Sequence, residues 1–324
     1  MRAVVCKEFG PPEKLVVEEV DDPRPGPGEI LVNIRATAIV FPDTLVIEDK
    51  YQFRQKLPFI PGGEAAGEVA ELGEGVDGFS IGDLVMGSLH GAGGFAEKIV
   101  LPAALAEPVL PSFTPAQATG LMYGLGTCLY GLKYRGRLAP GETLLVLGAS
   151  GHLGLGAIEL GKLLGARVIA AASSAEKLAA CQAAGADDVI NYSEENLKER
   201  AKELTGGVGV DVVFDGVGGD YAEAALRAMA WNGRFLVIGF PGGIPRIPLN
   251  LALLKSCEIV GVFTGGARAK DPEALQAVQA ELEAFVAGGQ LQIPISRSYG
   301  LDEVPQALRD MLERKVTGKI VFEP

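Results

Sequence analysis

From residue 143 onward, short apolar runs alternate with stretches of helical periodicity, and that order predicts a fold. The runs at 144–147, 168–172, 188–191, 210–215, 235–240 and 259–263 are short, mostly apolar and bounded by turn residues, which predicts strands. Helical patterns at 153–164, 175–184, 196–204 and 221–229 separate most of them. Strands that alternate with helices in this way form a doubly wound parallel sheet. The region before residue 120 is different. Its strand patterns are broken by Pro/Gly turns at 23–28, 61–63, 73–82 and 91–94, which suits an irregular β-rich domain. Beyond the sheet, Leu275, Val278, Leu282, Phe285 and Val286 share one helical face that stops at Gly288 and Gly289. A strand at 293–299, a helix near 304–312 and a last strand at 318–322 close the chain.

The turn after the first of the six strands carries the most specific pattern. Gly148, Gly151 and Gly154 read GxxGxxG between an apolar run and an alanine- and leucine-rich helix. A dinucleotide requires that order. The glycines let the backbone turn tightly and approach a pyrophosphate, and the helix N-terminus offers N–H groups and a positive dipole end. The second strand should end about 20 residues later, beside the adenosine ribose. An NAD site usually places Asp or Glu there to accept from both ribose hydroxyls. This chain has Ser173, Ser174 and, one turn on, Lys177. A carboxylate would repel a 2′-phosphate, whereas two hydroxyls and an ammonium would hold it. The same SSAEK stretch also reads as a helix N-cap with Glu176 in the first turn, but capping does not account for the missing acid. The expected cofactor is NADP(H) rather than NAD(H).

At 324 residues the length suggests two domains, or one large one, and 48% hydrophobic with 22% charged residues is the composition of a soluble globular protein. A net charge of −12, with no basic run, argues against a nucleic-acid or anionic-membrane partner. The apolar stretch at the N-terminus is too short for a signal peptide, and no run reaches transmembrane length. Cys6, Cys128, Cys181 and Cys257 make no paired motif, as expected of thiols in a cytoplasmic protein rather than a disulfide frame.

Residues 58–85 read PFIPGGEAAGEVAELGEGVDGFSIGDLV. With the glycine turn at 148–154 and Gly318-Lys319-Ile320-Val321, this closely resembles the medium-chain dehydrogenase/reductase superfamily, in its zeta-crystallin-like quinone oxidoreductase branch. The resemblance spans nearly the whole chain. It implies an α/β protein with a GroES-like β-rich catalytic domain over 1–123, completed by 265–324. A Rossmann NADP(H)-binding domain over 124–264 would be inserted between them, with the active site in the cleft.

Zinc alcohol dehydrogenases of the same superfamily carry a Cys before the catalytic loop and a His in a Gly-His-Glu signature. Here the corresponding stretches are Ile39-Val40-Phe41-Pro42-Asp43 and Gly62-Gly63-Glu64. The chain has two histidines, His90 and His152, neither with a ligand partner nearby in sequence, and no clustered cysteines. Neither a catalytic nor a structural zinc site is expected; His152, inside the glycine turn, is expected as a loop residue. Without a Lewis acid to hold an alcoholate, alcohol oxidation is a poor fit. The family alternative is hydride transfer from NADPH to a quinone or an α,β-unsaturated carbonyl. Such an acceptor spreads the incoming charge onto its oxygen and needs a hydrogen-bond donor and then a proton.

Tyr51, in Asp49-Lys50-Tyr51-Gln52, matches the tyrosine the family places near the nicotinamide. A phenol, neutral near pH 7, can donate to a developing enolate or quinol oxygen; a loop tyrosine covering core is the alternative reading. Two departures stand out. Family members commonly read Asn-Phe-x-Asp where this chain has Val40-Phe41-Pro42-Asp43, which removes an amide near the nicotinamide and leaves Asp43 to cap or brace the loop. Asp49 stands where relatives often have Gly.

The matching positions assign the cofactor Phe41, Thr127, the turn residues Gly148, Ala149, Ser150, Gly151, His152, Leu153 and Gly154, then Ser173, Ser174, Lys177 and Tyr192. Gly216, Gly239, Phe240, Phe263 and Thr264 follow at later strand ends, and Lys319 resembles a basic residue near the phosphates, with a surface lysine as the alternative. An enzyme with a small quinone or enone substrate is the leading reading. A reductase of enones or enoyl thioesters is the near alternative, and a nucleotide-binding structural or RNA-binding protein the alternative of another class. Residues 258–263 read as the last strand of the sheet, an apolar edge that invites pairing; since relatives pair this edge across a two-fold axis, a homodimer is expected.

Overall fold

The structure, a computed structural model, describes residues 1–89 and 91–324; His90, weighed above as a metal ligand, lies outside the described residues. The chain forms two compact units, Met1–Leu121 with Ile293–Pro324, and Met122–Gln292.

The first unit opens with β1 (Arg2–Val5) and β2 (Val16–Glu19), an antiparallel pair. Then come β3 (Glu29–Ile39), α1 (Phe41–Val46), β4 (Glu64–Leu72), β5 (Leu84–Ser88), β6 (Lys98–Pro102), β7 (Ala106–Pro108) and α2 (Pro115–Ala118). Two π-type turns, Leu121–Gly126 and Tyr130–Arg135, flank the short α3 (Thr127–Leu129).

The second unit continues with β8 (Thr143–Leu147), α4 (His152–Leu163), β9 (Arg167–Ala172), α5 (Ala175–Ala183), β10 (Asp188–Asn191) and α6 (Leu197–Leu204). Next are β11 (Val210–Asp215), α7 (Tyr221–Ala228), β12 (Met229–Val237), α8 (Asn250–Lys255), β13 (Glu258–Gly261), α9 (Thr264–Lys270) and α10 (Pro272–Ala287). The chain then returns to the first unit as β14 (Ile295–Tyr299), α11 (Val304–Leu312) and β15 (Lys319–Phe322).

In the second unit six parallel strands stand in the order β10-β9-β8-β11-β12-β13, the doubly wound arrangement. Helices cover both faces of such a sheet, so its strands are apolar throughout rather than alternating. Leu144, Leu145, Val146, Val212, Val213 and Phe214 are all fully buried. Strand ends are level: Leu147 pairs with Ala171 on one side and Asp215 on the other, and Asp215 pairs with Val237. The direction of winding reverses between β8 and β11, which makes their carboxyl ends the switch point.

The first unit holds a seven-stranded sheet, β14-β15-β3-β4-β5-β7 with β6 also on β3. β15 joins β3 antiparallel, so the end of the chain is stitched into the N-terminal sheet. Phe95 and Phe322, both fully buried, meet edge-on at 6.3 Å in its core with Ile30, Val32 and Leu101.

Two expectations need correction. Residues 265–292 complete the second unit, not the first. Lys133 pairs with Glu281 at 2.6 Å, the Tyr130 hydroxyl reaches Asp271 at 3.3 Å, and Val278 and Leu282 are buried. An amphipathic helix shows which of its faces is buried but not what buries it. Strand β12 begins at Met229 and ends at Val237, so Phe240 lies beyond it; likewise Phe263 lies beyond β13. Asn232 takes a φ of 60° and the ladder with β11 slips between Val210 and Val212, so the early half of β12 resembles a turn in sequence.

Candidate functional site

The carboxyl edge of the second unit gathers most of the residues assigned to the cofactor. Gly148, Ala149, Ser150 and Gly151 follow β8, Ser173 and Ser174 follow β9, and Tyr192 follows β10. Gly216, Gly239 with Phe240, and Phe263 follow β11, β12 and β13.

The glycines there are not equivalent. Gly148 has a φ of 65°, and a Cβ on it would lie 2.8 Å from the Val217 side chain. At Gly154 a Cβ would lie 2.4 Å from the Gly148 carbonyl oxygen, so this glycine lets α4 pack on the turn. Gly151, Gly216 and Gly239 are under no such constraint. None has a positive φ, and an added Cβ would meet nothing nearer than 3.6, 3.5 and 3.8 Å respectively. All three stand around the switch point, where an added methyl group would meet its neighbours at ordinary van der Waals distance. In dinucleotide folds, glycine at such turns lets the backbone approach a pyrophosphate at a helix N-terminus. Ala149 spends its N–H on Ala171 and Gly151 its own on Gly148, at 3.1 Å each, so both of these donors are already engaged within the protein.

At the end of β9, Ser174 caps α5 by accepting the Lys177 N–H at 3.4 Å, and the Lys177 ammonium reaches the Ser173 hydroxyl at 3.4 Å. Capping and a cationic polar group coexist at the end of β9, and no acid occupies that strand end. The Tyr192 ring lies 4.3 Å from that of Tyr221, tilted by 42°, and both pack against the core of the second unit. Thr127 donates to the Tyr123 carbonyl at 2.6 Å and meets the Thr264 hydroxyl at 2.8 Å, so two assigned residues are neighbours.

His152 is not a loop residue: it opens α4, and its imidazole lies where a side chain on Gly124 would be, 2.1 Å from that Cβ position. Leu153 follows it on the first turn. Phe240 and Phe263 are about half exposed, at 41% and 51%, the Phe263 ring lying over Gly266.

Sequence reasoning missed what fixes this edge. Buried Asp215, the last residue of β11, accepts the N–H groups of Val217 and Gly218 at 2.9 and 2.8 Å; burial raises its pKa and those amides oppose the rise. The two loops beyond are joined where Gly219 donates to Gly243 at 2.8 Å and Gly242 to Val217 at 2.7 Å. A Cβ at Gly218 or Gly219 would collide with the facing carbonyls. The signal was available, since Asp-Gly-Val-Gly-Gly at 215–219 answers Pro-Gly-Gly at 241–243.

In the first unit, half-buried Phe41 opens α1, its carbonyl accepting the Thr44 hydroxyl at 2.7 Å. Tyr51 follows α1 in a bend, its ring 5.8 Å from Phe53. Asp49 adopts a φ of 54°, a conformation that glycine takes freely and Asp or Asn tolerates, which explains glycine there in relatives. Asp43 does brace the loop, accepting the Val40 N–H at 2.8 Å. Lys319 needs correction. It is neither a surface nor a phosphate-binding lysine: it is buried in β15, and its ammonium donates to the carbonyls of Gln117 and Thr119 at the end of α2. Burial lowers it to about 7, against the charge of Glu64. Among the described residues no group of three His, Cys, Asp or Glu side chains is placed to hold a metal ion.

A doubly wound sheet with a glycine-lined switch point, carried in one chain with a GroES-like unit, defines a dinucleotide-dependent oxidoreductase. The chain matches the family described as "Alcohol dehydrogenase GroES-like domain" over residues 26–111 and that described as "Zinc-binding dehydrogenase" over 153–280. It is 42% identical to a quinone oxidoreductase-like protein 2 homolog of Nematostella vectensis, across 99% of this chain and 88% of that protein. Identity to prostaglandin reductase-3 of Bos taurus is 35%, across 93% and 82%. Escherichia coli quinone oxidoreductase, solved in complex with NADPH, superposes with a TM-score of 0.91 at 29% identity over the full length of both chains. The chain belongs to the medium-chain dehydrogenase/reductase superfamily, in its quinone oxidoreductase branch, and is an oxidoreductase.

Proposed function

We propose that the protein is an NADPH-dependent reductase that delivers hydride to a quinone without zinc. The contact of Lys177 with Ser173, at a strand end that lacks an acid, carries the cofactor choice. The Escherichia coli relative's NADPH complex supports it. When bound, NADPH supplies the hydride. Gly151, Gly216 and Gly239 leave room for it, the α4 N-terminus favours its pyrophosphate, and Ser173, Ser174 and Lys177 hold its 2′-phosphate. Tyr51 donates a hydrogen bond to the acceptor oxygen as charge gathers there. Val40 and Gly63 replace the zinc ligands of alcohol dehydrogenases, so the Tyr51 phenol takes over the work a Lewis acid does in them.

The relation to prostaglandin reductase-3 favours a second acceptor class, α,β-unsaturated carbonyls, which demand the same donor. NADPH oxidation against matched quinones, enones and enoyl thioesters separates the two. Quinones should give the highest kcat/KM; an enone preference would move the protein to the second class, and no turnover with any would end the proposal. Elemental analysis of the active enzyme should find no stoichiometric zinc, and chelators should leave its rate intact.

We further propose a homodimer through β13. It is the edge strand of its sheet, and exposed Ile259, Leu253 and Leu254 lie on it and on the preceding α8. Light scattering at micromolar concentration should report at least a dimer; a monomer would refute it. The four cysteines are thiols and no helix among the described residues is long and apolar enough to cross a membrane, which suits a cytoplasmic setting.

A further inference from the structure

Three ionisable side chains meet inside the first unit, at the end of the sheet from which α1 departs. Asp43, on the first turn of α1, is 1% exposed; it accepts the Val40 N–H at 2.8 Å and also the Gly63 N–H. Glu64, buried, follows Gly63 and opens β4, and its charge acts on both Asp43 and Lys319. Lys319 opens β15, with its ammonium on the carbonyls that end α2. The ladders bring these starts together: Thr37 pairs with Ala65 and Ile39 with Ile320, so the last turns of β3 lie beside both strand starts.

Such a cluster is a costly way to brace a loop, since buried charge must be desolvated and then compensated. Burial raises Asp43 to about 7, and the neighbouring Glu64 adds to the rise while the two amides oppose it. Helix α11, which also packs on α1, carries Arg309, but that guanidinium is paired with Glu13. Glu64 is therefore the charged neighbour that matters to Asp43. In its ionised form Asp43 takes both amides in charge-assisted bonds, roughly twice as strong as neutral ones. Once protonated it holds them less firmly.

We propose that Asp43 is a positioning residue for the reaction: by tying the Val40 and Gly63 amides together it fixes α1, and through α1 the place of Phe41 and Tyr51. The route is short. Lys50 donates to the Leu45 carbonyl at 2.8 Å, which fastens the bend leading to Tyr51 onto the end of α1. The inference rests on the reading of Tyr51 as the donor to the acceptor.

Asp43→Asn keeps the size and one carbonyl acceptor but cannot ionise. Turnover of the wild-type enzyme should rise through an inflection near pH 7, since that is where Asp43 ionises. In the variant the inflection should vanish. Turnover at alkaline pH should fall about tenfold, because small misplacements of a catalytic group are costly, while the KM for NADPH should stay within about twofold. Loss of rate at every pH with the inflection retained would mark a mere brace and overturn the proposal. So would a variant that behaves as wild type.

If the variant does not fold, the amide proton resonances of the wild-type protein decide. Those of Val40 and Gly63 should move downfield together through an inflection near pH 7, as an ionised carboxylate replaces a neutral acid in their hydrogen bonds, with amides away from the cluster unaffected. No such shift would overturn the proposal. Tyr51→Phe separates this from the reading it rests on: if that variant keeps full turnover, the donor assignment fails, whereas the amide-shift result on Asp43 is independent of it.

Discussion

Asp215 and Asp43 are the same device in two settings. Each is a buried carboxylate that accepts two backbone amides, Asp215 at the end of β11 and Asp43 on the first turn of α1, and burial raises the pKa of both. Asp215 finds its amides two and three residues ahead, within its own turn. Asp43 takes one amide from its own turn and the other from Gly63, with Glu64 next to it. The local version stands among glycines that hold the cofactor edge rigid, and its charge is answered by its own backbone. The non-local version ties two loops together and feels another carboxylate, so its ionisation falls where cellular pH changes. A turn closed on itself acts as scaffold; one closed through a distant strand couples segments.

The sharpest way to break that comparison is stability against pH. Asp43 titrates near 7 in the folded chain and near about 3.9 when unfolded. Between those values the folded state keeps a proton that the unfolded state has lost, so stability falls as pH climbs through the window and is level above it. The whole fall is at most about 4 kcal/mol. Urea unfolding of Asp43→Asn should lack this slope, and a curve parallel to wild type would show that Asp43 does not titrate there. Lys319, lowered to about 7 by burial, works oppositely: its penalty is lifted as pH rises above 7.

Tyr51→Phe comes next. Losing a donor at a developing oxyanion typically costs on the order of a hundredfold in turnover, or about 2.7 kcal/mol. NADPH affinity should barely move. Turnover within about threefold of wild type, far short of that loss, would make Tyr51 a packing residue.

The glycines of the cofactor edge sharpen the scaffold half of the comparison. Gly154→Ala puts a methyl against backbone and should cost about 1–3 kcal/mol of stability. Gly151→Ala should leave the melting temperature alone but weaken NADPH binding severalfold. Equal melting temperatures for both variants would contradict the division drawn between them.

The smallest effect is expected at the ribose. Wild-type protein should bind NADPH at least about tenfold tighter than NADH, or about 1.4 kcal/mol, and Lys177→Ala should narrow that gap. Fluorescence titration measures both, and equal wild-type affinities would refute the choice of NADP(H).

The sequence by itself determined the second unit almost element by element. Continuous apolar strands, helical periodicity, the glycine turn and the Ser173 to Lys177 stretch are local patterns, and parallel sheets are built from local βα units. It also determined that α10 has a buried face, though not that this face covers the second unit, because amphipathicity is silent about the partner. Only the tertiary structure separated Gly151 from Gly148 and Gly154, since the need for a missing Cβ depends on what stands across from it. Only the tertiary structure took Lys319 from the phosphates and set it in one interior with Asp43 and Glu64. Those residues are far apart in the chain, and strand pairing, which brings β15 and β4 against β3, leaves no periodicity from which their meeting could be read.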